Sequence, residues 1–282
     1  MNLSTKVGIF GYLSLDTLIH KGKKFQEVPG GGALYAALAV LANGRKPILH
    51  VGVGNDFPES TLLKLNNLGV DLESVHYGNG PSRRAFLVYN NGNESGSGHY
   101  SEKVWWDRTE ALHPPPPKKD FNTAVLAPMP LDYAKTILTS INPTVATVLD
   151  TSEAFARNFP NSILGLLTEI DYFIPSVIET RLLIPGCGDD QAAIELAQIG
   201  TKVIQKRGPQ GLVRASKEKI EQRQTPHSNA VLDPTGAGDS VTGAIAAAVS
   251  RDLPEDQFLS IASQTAALTV SGLGPTGLSL SF

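Results

Sequence analysis

The sequence predicts an α/β fold with a mainly parallel central sheet that is covered by helices on both faces. Short apolar runs of strand length alternate along the chain with helical patterns. The apolar runs are continuous, as is typical of strands that are buried on both faces. A chain of 282 residues is long enough to bury such a core. In sheets of this kind, ligands bind beyond the carboxyl ends of the strands.

The predicted elements follow one another in the order that this architecture requires. A strand at 7–11, a helix at 33–43 and a strand at 47–53 form the first strand–helix–strand unit. Later strands are predicted at 123–127, 145–150, 171–174 and 201–205. Helical patterns alternate with them at 131–140, 161–169 and 189–199.

Two stretches break the alternation, at 12–28 and at 81–106. The second contains a turn signal at 90–93 between β-rich runs. Both are predicted to be β-excursions from the main sheet. Trp105 and Trp106 face either a partner or the core. The prolines at 114–117 are predicted to form a stiff spacer that returns the chain to the main sheet, with a ligand for a proline-binding module as the alternative.

Composition favours an enzyme that acts on small molecules. Charged residues make up 18% of the chain and the net charge is −3, so neither a nucleic-acid footprint nor a polybasic membrane surface is expected. Cys187 is the single cysteine, which excludes an intrachain disulfide and a cysteine-based metal cluster. No secretory signal pattern and no membrane-length apolar run is found, so we expect a cytoplasmic protein.

The run at 233–239 combines a glycine turn with a carboxylate at the start of a small-residue helical pattern. Backbone N–H groups at a helix start lack intrahelical partners and favour an anion such as phosphate. Asp239 would then lie beside that anion and could take a proton from a hydroxyl while a phosphoryl group arrives. The alternative is an aspartate placed there by the helix dipole alone. The predicted anion hole consists of Gly236, Ala237 and Gly238.

A second glycine run, Gly30-Gly31-Gly32, precedes another alanine-rich helical pattern far upstream. In order and separation the two runs resemble the signatures of the PfkB, or ribokinase-like, family of carbohydrate and nucleoside kinases. The resemblance implies a single domain over 1–282, a ribokinase-like three-layer sandwich with a small β lid at 12–28 and 81–106. It also implies ATP-dependent phosphorylation of a hydroxyl of a sugar, a polyol or a nucleoside. The lid would close over the substrate and serve as a homodimer surface.

Four residues are candidates for the substrate side of the site. Asp16 follows the first strand and could accept hydrogen bonds from two adjacent hydroxyls, although a turn-forming aspartate is the alternative. By resemblance Asp16, Gly31 and Gly32 contact the substrate. Tyr35 stands where ribokinases usually have an asparagine that touches the sugar, which disfavours ribose and is compatible with other polyols such as inositols.

Further candidates lie on the nucleotide side. The stretch at 172–179 resembles the family's Asn-x-x-Glu element with Ser176 in place of the asparagine, and implies that Glu179 holds water around Mg²⁺. The turn at 205–211 resembles the glycine turn that borders the nucleotide. Its candidates are Gly208 and Gly211, while Lys206 or Arg207 could meet phosphate.

The resemblance also implies that Thr235 and Asp233 help to coordinate a monovalent cation such as K⁺ and that the apolar stretch at 262–271 walls the adenine. The G-x-G-x-x-G pattern at 272–277 lacks the following helix and strand of a dinucleotide site, which disfavours a dehydrogenase. Two alternatives to a carbohydrate kinase remain. One is a vitamin kinase for pyridoxal or hydroxymethylpyrimidine, and the other is a non-catalytic metabolite sensor.

Overall fold

The computed structural model describes residues 6–89, 98–99, 112–113, 116–117, 119–227 and 231–279. The turn signal at 90–93, Trp105, Trp106 and the prolines at 114 and 115 lie outside the described residues. The strands of the described chain are β1 Lys6–Tyr12, β2 Ser14–His20, β3 Lys23–Gly30, β4 Lys46–Val53, β5 Asp71–Tyr77, β6 Phe86–Tyr89, β7 Gly98–His99, β8 Thr123–Leu126, β9 Ala146–Leu149, β10 Tyr172–Phe173, β11 Lys202–Lys206, β12 Leu212–Ala215 and β13 Ile220–Gln224.

The described helices account for each helical pattern of the sequence. They are α1 Gly32–Ala42, α2 Glu59–Asn67, α3 Leu131–Ser140, α4 Glu153–Asn158, α5 Pro160–Leu166, α6 Val177–Leu183, α7 Asp189–Gln198, α8 Ala237–Val249 and α9 Phe258–Thr269. The pattern at 161–169 divides into α5 and a short 3₁₀ turn, Leu167–Glu169. None of the helices in the described part of the chain has the length and apolarity needed to span a bilayer.

The central sheet has the predicted, mainly parallel arrangement. Its strand order is β13-β12-β11-β10-β9-β8-β1-β4-β5. The pairs from β11 through to β5 are parallel, and only β12 and β13 join in antiparallel fashion at one end. The sequence patterns miss β5 and β13, because these strands lie at the two ends of the sheet and carry polar residues where a central strand is apolar. They also miss β12, which has only four residues.

One apolar cluster covers each face of this sheet. On one face Val7 and Ile9 of β1 pack with the buried sides of α1, α8 and α9. On the other face Phe10 packs with the helices that follow β8 and β9. The alternation of side chains along a strand produces this division. The protein therefore has the three layers that the sequence predicts.

Close packing of α1 on α8 sets the geometry of the site. A Cβ atom on Gly243 of α8 would overlap the carbonyl oxygen of Ala36 on α1, so only glycine allows this approach. Four residues earlier on each helix, Gly32 lies against Asp239 in the same way. Equal spacing on both helices means that α1 and α8 run side by side in parallel. Their N-terminal ends therefore lie together at one edge of the molecule.

A separate four-stranded sheet forms from the two excursions, in the order β3-β2-β6-β7. The hairpin β2–β3 is antiparallel, β6 joins β2 in parallel, and β7 pairs with β6 in antiparallel fashion. The first excursion runs from Ser14 to Gly30 rather than over 12–28, because Tyr12 still belongs to β1. The hairpin thus leaves the main sheet after β1 and returns at the first turn of α1.

Candidate active site

The start of α8 is a glycine turn. Gly236 caps the helix in a left-handed conformation, with φ 75°, and a side chain there would overlap the ring of Tyr35. The N–H of Ala237 donates to the carbonyl oxygen of Pro234 at 3.2 Å. Ser240 makes the first bond to the Gly236 carbonyl oxygen. The intervening N–H groups of Gly238 and Asp239 belong to the first helical turn, which favours a negative charge.

The carboxylate of Asp239 reaches from this turn to the start of α1. A Cβ atom on Gly32 would lie 2.5 Å from Asp239 Oδ1, so the missing side chain makes room for the carboxylate. Pro128, after β8, closes the same space from a third side. The two glycine runs that lie about 200 residues apart in sequence thus form one site around Asp239.

Burial and nearby charges change the pKa of Asp239. Burial and, after it, the charge of Asp150 raise the pKa of Asp239, while Lys206 and Arg83 lower it, and the result is a pKa of about 7. A carboxylate with a pKa near neutrality is a better general base than an ordinary aspartate.

Asp16 lies on β2 of the small sheet rather than at the end of β1, because the chain enters β2 only one residue after β1 ends. Its Oδ1 accepts the N–H of Ala85 at 3.0 Å, and a Cβ atom on Gly30 would overlap Oδ2. Burial raises the pKa of Asp16, which a hydrogen bond with Ser14 and the charge of Arg83 oppose. Arg83 thus acts electrostatically on both Asp16 and Asp239.

Gly31 and Tyr35 lie between Asp16 on the small sheet and the glycine turn of α8. Gly31 has φ 96°, and a Cβ atom there would lie 2.5 Å from the carbonyl oxygen of Tyr12, so the start of α1 can rest on the end of β1. Tyr35 is buried one turn into α1 with its ring against Gly236. Among the described residues its hydroxyl has no hydrogen-bond partner. Burial, followed by the charge of Asp233, raises the pKa of Tyr35, so the hydroxyl stays protonated and able to donate.

A buried ion pair beside Gly238 was not among the predicted site residues. Lys206 Nζ lies 2.7 Å from Asp150 Oδ1 and 2.9 Å from Oδ2, and Thr242 Oγ1 donates to Oδ2 at 2.6 Å. Asp150 is the last residue of the strand predicted at 145–150. Like Asp16, it is therefore a carboxylate at the end of a predicted strand. Lys206 was considered as a phosphate contact together with Arg207.

The geometry separates Lys206 from Arg207. The Arg207 guanidinium donates to Asp190 at 2.8 Å and to Gln205 at 2.7 Å, which directs it to α7. Gly208 and Gly211 shape the turn after β11 as predicted, and a Cβ atom on Gly211 would overlap the Gln224 carbonyl oxygen. Lys206 alone of the two basic residues therefore lies at the glycine turn of α8.

Comparison with known proteins identifies the family. A family model described as pfkB family carbohydrate kinase matches residues 1–280. The chain belongs to the pfkB family. Its relatives include the cytidine kinase of Thermococcus kodakarensis, which is 25% identical over 256 residues, 88% of this chain and 90% of that protein.

Solved structures share the fold of this pfkB-family protein. The nucleoside kinase of Methanocaldococcus jannaschii, an archaeal member of the ribokinase family, has a TM-score of 0.78 at 17% identity. The superposition covers 96% of this chain and 93% of that chain. The ribokinase of Arabidopsis thaliana complexed with ribose and ATP has a TM-score of 0.74 at 18% identity, with 98% of this chain and 96% of that chain covered. These likenesses confirm the predicted ribokinase-like fold.

The stretch that resembles the family's Asn-x-x-Glu element begins α6 in this pfkB-family protein. Glu179 Oε2 accepts the N–H of Ser176 at 2.6 Å, and Ser176 Oγ accepts the N–H of Glu179 at 3.2 Å. This capping box holds the glutamate rigidly. Burial raises the pKa of Glu179, Asp150 adds to the rise, and Lys206 opposes it. The serine is therefore explained as a helix cap, a role that sequence alone did not assign.

Asp233 organises the loop before α8. Its Oδ1 accepts the Thr235 N–H at 2.9 Å and the Thr235 hydroxyl at 2.6 Å, and its Oδ2 accepts the Gly274 N–H at 2.7 Å. Gly274 of the G-x-G-x-x-G pattern thus binds this carboxylate through its backbone, a contact that the sequence does not predict. Within the described chain Asp233 is buried and makes no salt bridge with a basic side chain.

Proposed function

We propose that this pfkB-family protein transfers the γ-phosphoryl group of ATP to a hydroxyl of a sugar, a polyol or a nucleoside, with Asp239 as the general base. One observation carries the proposal. The Asp239 carboxylate lies where the N-terminal ends of α1 and α8 meet, beside the glycine turn of α8 on one side and Gly32 on the other. A phosphate held at that turn and a hydroxyl held near α1 would both contact the space in front of Asp239.

The step itself requires little beyond positioning and charge. The acceptor oxygen forms a bond to the γ-phosphorus, the bond from this phosphorus to the bridging oxygen of ADP breaks, and the hydroxyl proton moves to Asp239. Gly236, Ala237 and Gly238 would provide the anion hole through their backbone. Asp16, Gly31, Gly32 and Tyr35 would hold the acceptor.

The nucleotide base would rest on an apolar surface beside α9. Leu232 and Leu268 are both about half exposed, and the Leu232 N–H donates to the Val270 carbonyl oxygen at 2.8 Å. Exposed apolar side chains next to a predicted phosphate site suit a flat aromatic base. Thr235, Gly208 and Gly211 would border the phosphates.

The residues present fit Mg²⁺. Lys206 is paired with Asp150, and the charges of both residues act on Glu179 and on Asp239. The three carboxylates outnumber the single ammonium group, so additional positive charge would be favourable among them. Mg²⁺ keeps much of its water when it is bound to a protein. Glu179 would hold Mg²⁺ through water, and bound Mg²⁺ would neutralise phosphate charge.

The loop at Asp233 fits a monovalent cation such as K⁺. Asp233 is buried, and among the described residues its carboxylate accepts hydrogen bonds from N–H and O–H groups of Thr235 and Gly274. A buried negative charge of this kind favours a nearby cation. Backbone oxygens near Asp233 and Thr235 would coordinate it.

The substrate is tested by measuring ATP consumption over pentoses, hexoses, nucleosides including cytidine, and inositols. We expect one class to be turned over and Asp239→Asn to abolish that turnover. Pyridoxal and hydroxymethylpyrimidine belong in the same screen, because turnover of only these alcohols would establish the vitamin-kinase alternative. Inactivity with every acceptor, together with tight binding of one, would favour a sensor.

Sedimentation analysis would test the proposed homodimer through the small sheet.

Asp16→Asn is expected to raise the acceptor KM about 10- to 100-fold, the range for losing a hydrogen bond to a charged group, with a smaller change in kcat. The asparagine oxygen can still accept the Ala85 N–H, so the small sheet should stay intact. Steady-state kinetics at saturating ATP measures the effect. An unchanged KM would mean that Asp16 only holds the sheet together.

The pH profile of kcat/KM is expected to rise about tenfold per pH unit in acid and to level off near the pKa of Asp239, about 7. The value of kcat/KM rises with pH because only the ionised carboxylate accepts the hydroxyl proton. Glu179, whose pKa burial also raises, provides the control. The inflection should persist in Glu179→Gln, and an inflection near pH 4 in the wild type would contradict the assignment.

A further inference from the structure

The Lys206 ammonium has one N–H group without an acceptor among the described residues, next to the proposed phosphate turn. An ammonium carries three N–H donors. Two of them bond to the oxygens of Asp150, and among the described residues the third has no acceptor. A Cβ atom on Gly238 would lie 3.4 Å from Nζ, which places the ammonium directly against the first turn of α8. The Lys206 side chain is only 12% exposed.

The surroundings of Lys206 hold its ammonium in place. Asp150 is 2% exposed and is itself fixed by the Thr242 hydroxyl on α8. The backbone of Lys206 bonds to Pro175 at 2.8 Å and pairs with Ser176. Burying a charge pair is costly unless the geometry is well organised. Here the pair is held in place by Thr242 and lies against the first turn of α8, so the ammonium is fixed next to the proposed phosphate position.

Ser176 and Lys206 are neighbours across this pairing. Ser176 stands in place of the asparagine of the Asn-x-x-Glu element, and its hydroxyl is used as the cap of α6. Ser176 therefore presents no long polar side chain to the nucleotide side of the site. Lys206 lies beside Ser176 and extends its charged side chain towards Gly238. Lys206 can thus supply the polar group that an asparagine at position 176 would supply.

We propose that Lys206 is a catalytic residue whose ammonium contacts the phosphoryl group that is transferred. This inference rests on the proposed function. As the bond from the γ-phosphorus to the bridging oxygen breaks and the acceptor oxygen attaches, negative charge shifts over the phosphoryl oxygens and onto ADP. The third N–H of Lys206 donates to one of these oxygens, and the hydroxyl proton still goes to Asp239. A fixed ammonium in a buried site stabilises that charge without reorganisation.

The test compares Lys206→Met with Lys202→Met in the full chain. Lys202 lies at the opposite end of β11, is more than half exposed, and pairs with Glu255 at 2.6 Å. For Lys206→Met we expect kcat to fall about 100-fold or more, as when one donor to the developing charge is removed. ATP affinity, measured by calorimetry without acceptor, should fall about tenfold relative to AMP affinity. Lys202→Met should change neither quantity.

A second variant addresses the unpaired carboxylate that Lys206→Met leaves behind. Asp150→Asn with Lys206→Met removes both charges and should restore the thermal stability of the wild type if the single variant unfolds. We expect the double variant to show the same loss of preference for ATP over AMP. The inference is overturned if a folded variant lacking Lys206 keeps that preference within about twofold and kcat within about threefold.

The proposed function can fail independently of this inference. Wild-type protein that turns over no acceptor, yet prefers ATP over AMP through Lys206, would refute the kinase assignment and support the contact. Wild-type turnover that survives Lys206→Met would refute only the contact. Wild-type protein that binds no nucleotide would refute both.

Discussion

Asp239→Asn is expected to lower kcat about 10²- to 10⁴-fold, the range for removing a general base. Asparagine has nearly the same shape, so ATP and acceptor binding should change little. The pKa of Asp239 is raised by burial, so the ionised carboxylate destabilises the folded protein at neutral pH and the amide should not lower the melting temperature. Steady-state kinetics, calorimetric nucleotide binding and a thermal melt measure the three quantities.

The matched control for this variant is Asp132→Asn. Asp132 also lies in the first turn of a helix, α3, but its side chain is exposed. If the helix dipole alone explains an aspartate at this position, the two substitutions should have equally small effects. Near-normal kcat in Asp239→Asn would therefore remove Asp239 from the chemistry, whereas an effect confined to Asp239 would support its role as the base.

Gly32→Ala is expected to lower kcat about 100-fold while leaving the fold intact. The added methyl group would lie 2.5 Å from Asp239 Oδ1 and would push the carboxylate away. A displacement of about 1 Å at a reacting group costs a factor of this size. Gly32 is the first residue of α1 and has no left-handed backbone conformation. Replacement by alanine therefore adds no backbone strain.

Gly165→Ala is the matched control for Gly32→Ala. Gly165 lies in α5, and a Cβ atom there would meet no other atom within 4 Å. This variant should keep full activity and should be stabilised by up to about 1 kcal/mol. Kinetics and melting curves of both variants separate the effect of the methyl group on Asp239 from the general effect of alanine. Full activity of Gly32→Ala would show that Asp239 does not occupy this position during catalysis.

The predicted effects share one structural origin, the parallel packing of α1 on α8. Gly243 lets α8 approach Ala36 closely enough for Asp239 to rest on Gly32. The site is formed where the two helix starts converge, and the charges of Asp150 and Lys206 lie against the same turn. Stability and function oppose each other here, because ionised carboxylates are buried close together.

Some details of the site could have been inferred from the sequence and were missed. Asp150 follows a correctly predicted strand, so its position at the carboxyl edge of the sheet was available. Arg83 lies in the second excursion and no local pattern indicates that it faces Asp16 and Asp239. The serine at 176 became interpretable only when its capping bond with Glu179 was seen.

The sequence by itself determined the layered α/β fold, the small second sheet and the two glycine runs with Asp239. These features depend on patterns within contiguous segments, namely strand-length apolar runs, helix starts and turn residues. Only the tertiary structure decided that Asp239 lies on Gly32, that Lys206 is paired with Asp150, and that Arg207 turns away to Asp190. Such contacts join residues that are distant in sequence. They depend on how closely helices pack and which charges share a buried space, which no local pattern encodes.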